Sequence, residues 1–329
     1  MVTRLLLSRA VSWTPAIVLA LLIQSTTAAA QASRAVERFY ASGVARYEKE
    51  DFDGAIADID RVLQTLLDNA NGRSTPVADD ITLNYARTVA IIPRTAAAYI
   101  IRGLAWYGKG ELDEAIADFD QAIAIAPRHS HAFNNRGAAW HQKGEFDKAV
   151  EDYTRAIQLD PTQSVAYFNR GFAKYSQEKW DEAIADLDKS IAIDPENPSA
   201  YLNRGLAWYT KGNMEKAIDD YNRVIKLDPR SYAAYNNRGN ARLAKRDFDS
   251  ALVDFNKALQ LNPKASQAYL NRGLVQLLRG AEDDAEKDFT ICRSLNQELG
   301  DSIEVRIRNM RAALVTTEVG EGQRRNSNR

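Results

Sequence analysis

Asn135-Arg136-Gly137 returns as Asn169-Arg170-Gly171, Asn203-Arg204-Gly205, Asn237-Arg238-Gly239 and Asn271-Arg272-Gly273, each copy 34 residues after the last. One period upstream, Ile101-Arg102-Gly103 keeps the Arg and the Gly and loses the Asn. A fixed period of about 20 to 50 residues marks a repeat architecture, in which no unit can bury its apolar face alone.

The residues around the tripeptide recur with it. An aromatic stands four positions before the Gly at Tyr99, Phe133, Tyr167, Tyr201, Tyr235 and Tyr269. A small residue follows at Ala115, Ala149, Ala183, Ala217, Ala251 and Ala285, and four later a large one at Phe119, Tyr153, Leu187, Tyr221, Phe255 and Phe289. Each unit carries two apolar stripes at helical spacing. In the third copy the first helix is predicted over His131 to Gln142, with a turn at Lys143-Gly144 and a second helix over Phe146 to Leu159. Proline cannot donate to a continuing helix, so Pro127, Pro161, Pro195, Pro229 and Pro263 each close a unit. The last unit has Gln297 there. Asp113, Asp147, Asp181 and Asp249 fall in the first turn of second helices, where the helix dipole favours negative charge.

This pattern resembles the tetratricopeptide repeat family, whose signature is a 34-residue helix-turn-helix. The resemblance covers residues 36–299. It implies an all-α, right-handed superhelical solenoid of helix-turn-helix repeats. A degenerate first repeat is read at 36–69, from Phe39, Gly43, Ala55 and Asp58, with six consecutive repeats at 96–299. An insertion at 70–95 separates them. It opens on a cluster of turn residues, Asn69 to Pro76, and continues into a helix over Asp80 to Ile92 that Pro93 ends. A capping helix is expected at 300–315, with Ile303, Ile307, Met310 and Leu314 on one stripe. The tail 316–329 has no periodicity.

The N-terminus bears on location. Arg4 and Arg9 precede an apolar run from Pro15 to Ile23, and small residues follow to Ala30 and Ala32. This is the layout of a signal peptide at 1–30, with no membrane span left after cleavage and a secreted or periplasmic destination. The 43 Lys and Arg against 44 Asp and Glu leave a net charge of −1, and no basic field to hold nucleic acid. Cys292 is the only cysteine, which excludes an internal disulfide and a cysteine zinc site, and its place on a packed helix face reads as a buried small hydrophobe. His129, His131 and His141 are the only histidines, and the last two are too far apart on one helix to share a metal. No catalytic motif and no cofactor-binding motif occurs, so the chain is read as a non-enzyme without cofactor.

Three side-chain series stand out. Arg102, Arg136, Arg170, Arg204, Arg238 and Arg272 recur with Asp58, Asp118, Asp152, Asp186, Asp220 and Asp254, as a structural ion-pair ladder. Each Arg is expected to contact the Asp of the unit before it, Arg136 with Asp118 and Arg170 with Asp152, because the first repeat has Ser42 in place of Arg. That assignment leaves Asp288 over. Tyr107, His141, Tyr175 and Tyr209 share one register on first helices, which line the concave surface in family members. Asn135, Asn169, Asn203, Asn237 and Asn271 place one amide per repeat on that side. An amide offers a donor and an acceptor, the pair needed to grip a peptide bond. The series is similar to the asparagine ladder in the superhelical repeats of O-linked N-acetylglucosamine transferase. Other family members clamp a terminal carboxylate with basic residues where this chain has Ile100, Phe168, Leu202, Ala233 and Gln267. The expected function is a protein-interaction scaffold of the bacterial periplasm, holding an extended protein segment in the concave groove. A cell-wall polymer-binding assembly factor and an accessory subunit of a secreted enzyme complex are the alternatives.

Overall fold

A computed structural model describes residues 15–70, 81–296, 304–305 and 307–309, with side chains at 31–68 and from 94 onward. Arg4, Arg9, most of the turn cluster in the insertion, the cap residues Ile303, Met310 and Leu314, and the tail 316–329 lie outside the described residues. Among the described residues every regular element is a helix. Helices α1 (Pro15–Tyr47) and α2 (Phe52–Ala70) form the first pair, α3 (Ile81–Lys109) and α4 (Leu112–Ile125) the second, and α5 (Ser130–Gln142) and α6 (Phe146–Leu159) the third. Then come α7 (Ser164–Ser176) with α8 (Trp180–Ile193), and α9 (Pro198–Thr210) with α10 (Met214–Leu227). The last pairs are α11 (Tyr232–Ala244) with α12 (Phe248–Leu261), and α13 (Ser266–Leu278) with α14 (Glu282–Leu295).

The glycine of the tripeptide explains the pairing. A Cβ at Gly205 would lie 2.6 Å from the Tyr221 ring, and one at Gly137 2.8 Å from the Tyr153 ring. Only a glycine lets the aromatic of the second helix pack against the first helix's backbone. Those rings are fully buried at Phe119, Tyr221, Phe255 and Phe289, each removal from water contributing about 1.5–3 kcal/mol. The alanines at 115, 149, 183, 217, 251 and 285 are buried where the helices cross.

Turns and prolines define the ends. After α3, Gly110 takes φ 84° and donates its N–H to Tyr107, while the Glu111 N–H bonds the Trp106 carbonyl. This satisfies two carbonyls that the helix end would otherwise orphan. Gly144, Gly212 and Gly280 repeat the left-handed conformation, and at the same place Glu50, Glu178 and Arg246 adopt it without being glycine. Before each closing proline the chain is extended, as at Asp160 (φ −141°, ψ 92°), because the proline ring disfavours a helical predecessor.

The chain divides into two compact units, Met1–Pro161 and Thr162–Arg329. In the first, α1 to α6 each touch the next, and α3 also touches α1 and α5. In the second, α7 to α14 do the same, with α7, α9, α11 and α13 in contact along one row. Cores form between successive pairs: Ala241 of α11 joins Ala217 and Tyr221 of α10, and Ala139 of α5 joins Ala115 and Phe119 of α4.

Two findings bear on the ends of the array. The helix expected to stop at Pro93 does not: α3 runs from Ile81 through Pro93 to Lys109. A proline inside a helix removes one backbone bond, and the more than four turns beyond it, packed on α2 and α4, hold the helix together. At the other end Ile307 is buried against Leu270, Leu274, Leu277, Phe289 and Cys292. It stands 34 residues after Gly273, so the cap continues the repeat register and puts isoleucine where each repeat has its glycine.

Candidate functional site

The arginine series pairs within its own repeat. Arg136 donates from Nε to Asp152 at 2.8 Å and from NH2 at 2.6 Å, a two-pronged contact across α5 and α6. Arg102 meets Asp118, Arg170 meets Asp186, Arg204 meets Asp220, Arg238 meets Asp254 and Arg272 meets Asp288 in the same way. The expected pairing of Arg136 with Asp118 and Arg170 with Asp152 is therefore corrected. Helix hairpin geometry decides it, because the second helix returns antiparallel and brings the residue 16 positions on back beside the Arg. Asp288 is thereby paired. In the first repeat Ser42 donates to Asp58 at 2.6 Å and Arg46, one turn on, lies 3.1 Å from the same carboxylate.

The preceding repeat contributes through the third guanidinium nitrogen. NH1 of Arg102, Arg136 and Arg204 reaches Asp60, Asp120 and Asp188 at 2.5, 2.5 and 2.6 Å. NH1 of Arg238 and Arg272 reaches Asn222 and Asn256. Each of these five Arg thus ties both helices of its own repeat to the repeat before.

The aspartates fall into two kinds. Asp186 also receives Lys174 at 2.9 Å, and Asp254 receives Arg242 at 2.7 Å. In three repeats the residue four after the Arg is Trp106, Trp140 or Trp208, and lysines sit over those rings: Lys148 is 4.4 Å from the Trp140 centroid and Lys216 4.1 Å from that of Trp208. Burial pushes the Asp118, Asp152 and Asp220 carboxyls above their ordinary value, against the pull of the Arg. A second ladder, missed in the sequence, runs along the turns. Lys109 bonds Asp53, Lys143 Asp113, Lys211 Asp181, Lys245 Glu215 and Arg279 Asp249, each joining one repeat to the one before. The recurrence of a base at the turn and an acid 30 residues earlier was its available signal.

In the second unit one face of the first helices is partly exposed on α7, α9 and α11, while α13 buries most of the same register. On α7 the register Val165, Phe168, Asn169, Phe172, Tyr175 turns aside from the buried side of Ala166, Gly171 and Ala173. Val165 is 48% exposed and Phe172 38%. On α9 the same register holds Leu202, Asn203, Leu206 and Tyr209, all half-buried. The two stripes are joined where the Tyr175 hydroxyl meets Thr210 Oγ1 at 3.2 Å.

The asparagines are not equivalent. Asn169, Asn203 and Asn237 are half-buried on α7, α9 and α11, and Asn135 is half-buried on α5. Asn203 donates to the Ser199 carbonyl one turn back at 2.9 Å. Asn271 departs from the expectation of an open amide: it is 1% exposed, accepts from Gln267 at 3.1 Å and donates to Asn236 at 3.0 Å. Asn236 in turn donates to Asn237 at 3.3 Å, so an amide relay crosses from α13 to α11. Asn271 is a structural bridge and leaves the open series. Of the aromatics, Tyr107 and Tyr209 pack against neighbouring cores, and His141 lies 5.1 Å from the Phe146 ring. Burial lowers the His141 pKa and raises that of Tyr107. Cys292 is buried. Among the described residues no three His, Cys, Asp or Glu side chains converge on a metal position.

Profiles described as Tetratricopeptide repeat match residues 96–129, 131–163, 198–231 and 232–265, and one described as TPR repeat matches 173–212. These helix pairs are tetratricopeptide repeats. Solved tetratricopeptide proteins share the fold. PilF of Pseudomonas aeruginosa is 17% identical, with 65% of this chain and 99% of that one covered, at a TM-score of 0.58. A tetratricopeptide repeat protein of Parabacteroides merdae is 20% identical over 82% of this chain and 97% of that one, at 0.54. MamA is 28% identical over 50% and 96%, at 0.47. The comparison with curated proteins gave no match.

Proposed function

We propose that the chain is a non-enzymatic scaffold for protein–protein interaction, and that it holds an extended protein segment along the open face of α7, α9 and α11. The observation that carries this reading is the return of a half-buried amide, Asn169, Asn203 and Asn237, at one register of three helices in contact. Spaced amides that both donate and accept suit a peptide backbone and read no side chain. The neighbouring Arg series is engaged in internal pairs, which leaves that face with uncharged polar groups, the amides among them. The reading places the scaffold outside the cytoplasm, from the signal-like residues 1–30, and in a bacterial periplasm. Sequencing the N-terminus of the native protein tests export, and a start at Met1 overturns it. Among the described residues no helix is long and apolar enough to cross a membrane.

The test of the surface replaces Asn169, Asn203 and Asn237 together by Ala and measures capture of partners cross-linked in intact cells. Loss of about 1 kcal/mol per amide is expected, with folding retained. Lys189→Ala with Lys257→Ala, on second helices, is the control. A triple variant that binds like the parent overturns the reading. The Tyr175 and Tyr209 rings favour a second one, a cell-wall polymer bound by stacking. Retention on purified glycan strands, in the absence of protein, would select it.

A further inference from the structure

We infer that the segment bound on the α7–α11 face is uncharged and carries an aliphatic or aromatic anchor that seats on Val165 and Phe172; this rests on the scaffold reading above. Charged residues make up 26% of the chain, yet the face has none. Counting the open register from Val165 to Ser176 on α7, Ser199 to Thr210 on α9 and Ala233 to Ala244 on α11, six positions each, no Asp, Glu, Lys or Arg occupies any of them. The composition would put four or five there. In the first repeat the same register carries Glu37 and Glu48, so the repeat itself tolerates charge at these positions.

The cations closest to the face are unavailable to an anion. Arg204 and Arg238 have all three guanidinium nitrogens engaged by Asp220 with Asp188 and by Asp254 with Asn222. Lys174 and Arg242 point at Asp186 and Asp254. A charged side chain laid on this surface would lose water and meet no opposite charge, which is costly in either sign. An apolar one loses nothing and covers the exposed Val165 and Phe172. Meanwhile the half-buried Asn169, Asn203 and Asn237 serve the peptide groups that burial would leave unpaired.

A phage-displayed library of random peptides, about 12 residues long to match the ~3.3 Å per residue of an extended strand, tests this on the full chain. Enriched peptides are expected to lack Asp, Glu, Lys and Arg over their central residues. The affinity of a selected peptide should not change between low and high salt, because no ion pair is screened. Placing Lys or Glu at its central apolar position should weaken binding at least about tenfold for both signs, as should Val165→Ser with Phe172→Ala in the protein. Val165→Ser alone, at the more exposed site, should melt like the parent, and circular dichroism of the double variant should show the helical signal of the parent at the binding temperature. Peptides enriched in one sign of charge, or an affinity that falls with salt, overturn the inference while leaving the scaffold reading intact. Peptides whose binding ignores both the Phe172 double variant and the Asn169, Asn203, Asn237 triple variant overturn the scaffold reading on this face as well.

Discussion

Arg136 and Asp152 close the hairpin of α5 and α6 through two parallel hydrogen bonds, and the Asp is only 4% exposed. The same Arg reaches back to Asp120 of the preceding repeat. One side chain therefore sets both the closure of a repeat and its register on its neighbour. Burial works against the carboxylate, so the pair specifies geometry more than it adds stability.

Asp152→Ala should leave two of the three guanidinium nitrogens of Arg136 without their partner, on a side chain that is three-quarters buried. A loss of about 2–3 kcal/mol is expected, below the full range for a completely buried pair because part of the Arg reaches solvent. Adding Arg136→Leu to it should restore most of that loss, since both charges are then gone. Urea melts of the single and double variants check this. A double variant less stable than the single one would contradict it.

Tyr221→Phe should stabilise the protein. The Tyr221 hydroxyl is buried and has no hydrogen-bond partner, and other repeats use Phe119, Phe255 and Phe289 at this place. Removing an unsatisfied buried hydroxyl is worth about 1 kcal/mol or more. A fall in melting temperature would mean that the hydroxyl is satisfied in solution.

The same phenol predicts an alkaline limit. Burial pushes the Tyr153 and Tyr221 hydroxyls well above the ordinary tyrosine value, so the folded protein holds two protons that the unfolded chain releases near pH 10. Their contribution is complete below that pH and is lost as pH rises beyond it. Melting temperature followed from pH 8 to pH 11 should fall above about pH 10. Tyr221→Phe should lessen the slope.

Glu178 holds φ 61° in a turn where four other repeats use glycine. A side chain in the left-handed region costs about 1–2 kcal/mol, and glycine returns part of it through a more flexible unfolded chain. Glu178→Gly should therefore stabilise by about 0.5 kcal/mol and Gly144→Ala destabilise by about 1 kcal/mol. Paired chemical melts read both signs.

The period, the helix pairs and the packed Cys292 were legible because each is written as a side-chain type at a fixed spacing. The Arg partner was not. Asp118 and Asp152 flank Arg136 at 18 and 16 residues, and periodicity alone treats them alike. Antiparallel return of the second helix decides between them, and Ser42 misled because it takes up Asp58 itself with Arg46 beside it. The amide series shows a second limit. Asn169 and Asn271 have identical local sequence contexts, Asn-Arg-Gly, yet Asn271 is enclosed by Gln267, Asn236 and the end of the array. Burial set by neighbouring repeats does not appear in the motif. Pro93 shows a third, for its breaking tendency was outweighed by more than four packed turns beyond it.

Ile307 gives the last described repeat a cover whose side chain differs from the repeating pattern. A glycine in a first helix is a vacancy that an incoming ring must fill, and Gly273 takes Phe289. Isoleucine at the next such place is instead buried on the preceding repeat, among Leu270, Leu274, Leu277, Phe289 and Cys292. Growth by duplication of a 34-residue block can then occur anywhere upstream without touching this contact. The number of repeats is free to change while the closing surface stays the same.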